Sequence, residues 1–234
     1  MSMQIILHDE FQLNEEIWHK VEEAAENGWK SFTLLSNGTM INAVSELKVL
    51  FGPVVGEVTD TSAIILIEVD CEETCLNLEC KLYEKGIVDQ VEVIEKKITN
   101  RRPQSFSFDN LSPDTKYCAW FGTSPAPTFA SFKTKKMEID NFKMIALSCD
   151  KPARLLLGQL NPWKFIGKAV KKGQIDTVLH LGDQIYPDGE DIASAAKIFS
   201  ENFDDMDESK QEDMMNRGRE LWRQKYRSYF NRYE

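Results

Sequence analysis

The chain has 234 residues, of which 42% are hydrophobic and 28% charged, an ordinary globular balance with enough apolar material for one large or two modest cores. No run of about 18 apolar residues is present, and Met1 to Leu13 has neither the basic start nor the apolar centre of an export signal, so nothing addresses the chain to a membrane. With 28 basic and 38 acidic residues the net charge is −10, which disfavours gripping a nucleic-acid backbone.

Residues 1–50 read as a local extension, a helix plus a hairpin. The helix is expected from about Glu15 to Asn27: Asn14 suits its cap, Glu15 and Glu16 favour its positive end, and Ile17, Val21 and Ala24 share an apolar face. Gly28 can close it. Ser31 to Leu35 and Thr39 to Val44 then flank Asn37-Gly38, a dipeptide suited to the positive φ angles of a tight hairpin.

From Gly52 to about Thr134 the period of the pattern is two. Ala63, Ile65, Ile67 and Val69 alternate with a second set, as do Leu76, Leu78, Cys80 and Leu82, while Phe106 and Phe108 straddle Ser107. Further strand-like runs lie at Val91 to Ile98, Lys116 to Phe121 and Phe129 to Thr134. About seven short strands at roughly ten-residue spacing predict an antiparallel sandwich over residues 51–136. Leu111 to Tyr117 resembles the loop into the sixth strand of fibronectin-type-III-like domains, where the tyrosine hydroxyl ties back to nearby backbone, and this gives Tyr117 a structural role.

The pattern changes after Lys136, and residues 140–234 read as a second domain. Lys143 to Leu147 and Asp176 to Leu181 are expected as short buried strands around a helix, Pro162 to Lys172. Asn161 suits the helix cap, Pro162 its first position and Gly173 its end, with Trp163, Ile166 and Val170 on one face. Strand-helix-strand predicts parallel pairing in an α/β domain, where ligands gather at the carboxyl ends of the strands. A helix is expected over Asp191 to Phe203, and the acidic stretch Glu201 to Asp213 reads as a solvated loop or helix face. Trp222, Tyr226, Tyr229 and Tyr233 line one face of Arg219 to Tyr233.

Two segments stand where an α/β site belongs: Ser148-Cys149-Asp150 after the first strand, and Gly182-Asp183-Gln184-Ile185-Tyr186 after the second. A glycine lets the backbone turn away from the sheet, so that Asp183 projects over the edge with two oxygens able to bind one cation or bridge two. Cys149 offers a soft thiolate and Tyr186 a phenolate to a strongly acidic metal. Taken singly, each also has a plain reading: a turn with a satisfied carboxylate, a small core thiol, a packed phenol. His180 either faces the core or braces the site. The five cysteines are odd in number and lack CxxC pairing, which fits free thiols in a reducing, cytoplasmic setting.

The ordered segments Phe142 to Cys149 and Ile175 to Asp188, with Gly52-Pro53-Val54-Val55-Gly56-Glu57-Val58-Thr59-Asp60-Thr61-Ser62-Ala63 ahead of them, are similar to the alkaline-phosphatase-D-like (PhoD-like) branch of the calcineurin-like metallophosphoesterases. The resemblance covers about residues 51–190. It implies a mixed β and α/β fold: a fibronectin-III-like β-sandwich followed by the first strand-helix-strand unit of a metallophosphoesterase α/β domain. It also implies that Cys149 and Tyr186 bind a ferric ion, that Asp183 bridges it to a second, divalent ion such as calcium, and that the substrate is a small phosphate monoester or diester. The family's later acidic and histidine ligands would lie beyond Tyr186, whereas His8, His19 and His180 all precede it. The expectation is therefore an incomplete hydrolase site. The alternative is a non-catalytic interaction protein that uses its sandwich and keeps a remnant of the phosphoesterase unit. No glycine-rich phosphate loop follows either strand, which disfavours a nucleotide-binding domain.

Overall fold

A computed structural model describes residues 15–26, 32–34, 40–42, 47–71, 74–87, 89–122, 127–138, 141–149, 162–186 and 203–230. The chain divides into two compact units, Met1–Asp140 and Asn141–Glu234. The expected caps Asn14 and Asn161, the Asn37-Gly38 turn, most of the Asp191 to Phe203 helix, and Tyr233 lie outside the described residues.

The first unit opens with helix α1 (Glu15–Glu26), followed by an antiparallel pair of short strands, β1 (Phe32–Leu34) and β2 (Met40–Asn42), in which Leu34 sits opposite Met40. The sandwich itself is built from β3 (Val49–Val58), β4 (Ala63–Val69), β5 (Cys75–Glu84), β6 (Gln90–Thr99), β7 (Gln104–Phe108), β8 (Lys116–Phe121) and β9 (Thr128–Lys133). One sheet has the order β3-β4-β7 and the other β6-β5-β8-β9, with antiparallel neighbours throughout. Period-two alternation sends Ala63, Ile65, Ile67 and Val69 into the core, where they meet Leu78, Leu82, Phe106 and Phe108 from the other strands. Pro53 lies on the edge strand β3, where its missing N–H breaks no inner ladder. Gly52 beside it has φ +83°, and a Cβ there would stand 2.5 Å from the Leu66 carbonyl oxygen, so only glycine fits.

In β8 the alternation vanishes, because both of its faces are covered. Tyr117, Ala119 and Phe121 face the core, while Cys118 and Trp120 face α1 together with Tyr83 and Phe129. Ile17, Trp18, Val21 and Ala24 of α1 fill that outer surface. The helix is thus a cover for the four-stranded sheet, fastened at its rim by Glu22, which pairs with Lys85 and Lys116. The Tyr117 hydroxyl accepts the Ser112 N–H at 2.8 Å and donates to Glu84 Oε2 at 2.8 Å, the tie-back expected of it. All five cysteines are free thiols.

The second unit contains β10 (Met144–Leu147), helix α2 (Pro162–Lys171), β11 (Thr177–His180) and helix α3 (Glu208–Phe230). β10 and β11 pair in parallel, with Met144 beside Thr177 and Leu147 beside His180. Gly173, at φ +64°, closes α2 by donating its N–H to Val170 O, and Gln174 donates to Ala169 O, the two bonds of a Schellman cap. Asp207 caps α3 by accepting the Lys210 N–H at 3.0 Å, and the acidic run at the start of that helix is solvent-exposed.

Two expectations need correction. β10 and β11 are not buried: Met144 is 52% and Leu181 69% exposed, and Leu179 is exposed as well. In a pair of strands Met144, Ala146 and Leu179 share one face while Ile145, Leu147, Val178 and His180 share the other. Trp163 of α2 meets the second face at His180, leaving the first face open. On α2, Trp163 and Ile166 are half-buried as expected, but Val170 is exposed. Among the described residues, no helix is long and apolar enough to cross a membrane.

Candidate functional site

The parallel ladder positions the site. Leu181 N–H donates to Leu147 O at 2.7 Å, and one residue further on Cys149 N–H donates to Gly182 O at 3.2 Å, so the two strand ends leave the sheet side by side. Each exit is made by a residue with positive φ, Cys149 at 63° and Asp183 at 51°. For a non-glycine residue this left-handed backbone is uncommon, more so for cysteine than for aspartate. It swings the two side chains toward one another. Cys149 Sγ donates to Asp183 Oδ2 at 3.2 Å, and the Tyr186 hydroxyl donates to the same oxygen at 3.2 Å.

The three residues singled out in the sequence therefore meet around one carboxylate oxygen at the carboxyl edge of the sheet. Cys149 and Asp183 are exposed and Tyr186 is half-buried, so the cluster is open to solutes. Hydrogen bonding to Cys149, then partial loss of solvent and the Asp183 carboxylate, push the Tyr186 phenol well above its ordinary range. In this arrangement the phenol stays protonated and acts as a donor. Asp150, Pro187 and Asp188, which belong to the same sequence segments, lie outside the described residues. Among the described residues no three His, Cys, Asp or Glu side chains are clustered so as to hold a metal, the third member of this trio being a phenol.

His180 lies against α2. Its ring meets Trp163 edge-on with centroids 5.7 Å apart, and its Nε2 is buried without a hydrogen-bond partner among the described residues. The backbone oxygen of His180 accepts the Gln184 side-chain N–H at 3.2 Å, which folds the site loop back onto the strand. Tyr229 of α3 donates its hydroxyl to Tyr186 O at 3.1 Å. Neither Gln184 nor Tyr229 was assigned a site role from sequence. Tyr229 lies in a visible row of aromatic residues, but nothing local marks which of them turns inward.

The distances set what the cluster can do. Two donors on one cation, at metal–oxygen and metal–sulfur lengths of about 2.0 and 2.3 Å and a right angle, are about 3.1 Å apart. The Cys149–Asp183 separation of 3.2 Å is close to that spacing, whereas two oxygens at about 2.0 Å and a right angle would be about 2.8 Å apart, so Tyr186 and Asp183, at 3.2 Å, stand at hydrogen-bond rather than ligand spacing. The donor set combines one soft sulfur with two hard oxygens, a thiol, a carboxylate and a phenol.

No family model matches the chain, and no curated protein matches it. Solved structures do. The chain is similar to the sensor domain of the anti-sigma factor RsgI4 of Pseudobacteroides cellulosolvens, at 25% identity and a TM-score of 0.31 over 41% of this chain and 100% of that one. It is similar to a fibronectin type III (fn3) domain of human contactin 1, at 18% identity and a TM-score of 0.31 over 45% of this chain and 94% of that one. It is also similar to a structure of PhoD, at 15% identity and a TM-score of 0.43 over 62% of this chain and 30% of that one.

Proposed function

We propose that residues 140–234 form part of a metal-dependent phosphoric ester hydrolase domain of the alkaline-phosphatase-D-like kind, acting on small phosphate monoesters or diesters. The observation that carries this reading is the convergence of Cys149, Asp183 and Tyr186 on one oxygen at the ends of two parallel strands. Cys149 and Tyr186 would hold a ferric ion, and Asp183 would share its carboxylate between that ion and a divalent one such as calcium. Bound there, the ions would supply neutralisation of phosphate oxygens and an acidified water. This chain's own residues hold the donors in place: left-handed backbone at two positions aims them, and Gln184 ties the loop down. Two such ions need about ten donor atoms with only a few shared, so the three residues make part of a site.

Iron and calcium content of purified protein tests the proposal, compared with Cys149→Ser and Asp183→Asn. Metal should be bound by the wild type and lost from Asp183→Asn; content unaffected by either change would sink the site. A second reading, a non-catalytic interaction protein, draws on the edge strand β6, which exposes Val91 and Val93. Hydrolysis of p-nitrophenyl phosphate or bis-p-nitrophenyl phosphate separates the two readings, since turnover abolished by Asp183→Asn excludes an inert protein.

A further inference from the structure

We infer that Tyr229 is a positioning residue, holding the site loop from α3 through the Tyr186 backbone; the inference rests on Cys149, Asp183 and Tyr186 being a cation-binding set. The loop from Leu181 to Tyr186 is fastened at its near end by three bonds: Leu181 N–H to Leu147 O at 2.7 Å, Cys149 N–H to Gly182 O at 3.2 Å, and the Gln184 side chain to His180 O at 3.2 Å. Its far end is gripped by the Tyr229 hydroxyl on Tyr186 O at 3.1 Å.

Tyr229 differs from its neighbours on the helix. It is 6% exposed, with the Lys225 ammonium over its ring at 5.7 Å, while Trp222 and Tyr226 are 41% and 46% exposed. A buried ring cannot follow a wandering loop, so the hydroxyl is a fixed point. The Tyr186 phenol reaches Asp183 Oδ2 only if its own backbone stays where Tyr229 holds it. Holding donors at a set spacing before a ligand arrives reduces the ordering cost of binding. Tyr229 acts on the site through the Tyr186 carbonyl.

Tyr229→Phe removes the hydroxyl and keeps the ring. Backbone amide exchange in the full chain provides the metal-free readout. In the variant the Cys149 amide, which bridges to the loop at Gly182, should exchange about tenfold faster while the Leu181 amide, held within the ladder, keeps its wild-type rate. A Cys149 amide exchanging at the wild-type rate, or a Leu181 amide accelerated equally, would overturn the positioning role. Titration with ferric iron is the second arm. Wild type should develop a visible phenolate-to-iron band that Tyr186→Phe abolishes, and Tyr229→Phe should need several-fold more iron for half the signal. Unchanged iron demand in Tyr229→Phe counts against positioning, whereas absence of the band from wild type sinks the cation reading and leaves the exchange rates to judge the Tyr229 contact.

Discussion

Cys149 holds a left-handed backbone that a side chain makes costly, and what its sulfur returns to the turn is one exposed hydrogen bond to Asp183. The expected consequence is a conflict between folding and site chemistry at this one residue. Cys149→Gly should be more stable than Cys149→Ala by about 1 kcal/mol, because glycine adopts positive φ without the Cβ penalty. Urea unfolding followed through Trp163 and Trp222 reads this difference; equal midpoints for the two variants would show that the backbone stores no strain there. The residue types of the site were legible because Cys149, Asp183 and Tyr186 follow two apolar runs, and a strand end is where an α/β sheet presents side chains. Tyr117 was legible as well, through its loop. Gln184 and Tyr229 were not, since their hydrogen bonds go to backbone oxygens whose position depends on the folded loop.

At the scale of elements, the seven strands of the sandwich follow from alternation, which acts locally and needs no knowledge of neighbours. What α1 packs against is not local. The sign of it was the run Tyr117 to Phe121, apolar on both sides of the strand, which demands a cover on the outer face as well as a core on the inner one. Val21 is buried in that seam, so Val21→Asp should cost about 3 kcal/mol through an unpaired buried carboxylate and release α1. A loss of helical circular dichroism with a red shift of Trp18 emission would accompany it; a variant as stable as wild type would mean that α1 is not seated on the sheet. β10 and β11 were located correctly, but their burial was misjudged, because a four-residue apolar run reads alike whether one face is covered or both. Met144 lies on the open face, so Met144→Lys should change stability by no more than about 0.5 kcal/mol. A larger loss in the same urea titration would place Met144 in a core.

For the whole molecule, division into two compact units predicts two unfolding transitions with separate sensitivities. Alkaline pH distinguishes them, because the sandwich unit buries thiols. Burial pushes the Cys118 thiol up from 9.0 to about 12, against the opposing hydrogen bond from Trp120 Nε1, and burial also raises Cys80. A group whose folded value is raised contributes its full stability below the unfolded value and loses it as pH climbs from there to the folded one. For Cys118 that window runs from about pH 9 to about pH 12. At about pH 10.5 the thiol alone should have removed about 2 kcal/mol, at 1.36 kcal/mol per unit. Cys118→Ala should be weaker than wild type at neutral pH, having left a cavity and taken the Trp120 partner away, yet it should lack this share of the alkaline loss. The stability gap between the two proteins should therefore narrow as pH rises, and only in the transition that reports Trp120 and Tyr83. Urea midpoints measured across the alkaline range decide the matter. A gap that stays constant with pH would mean that Cys118 ionises as easily folded as unfolded, and a gap that narrows in both transitions together would mean that the two units unfold as one.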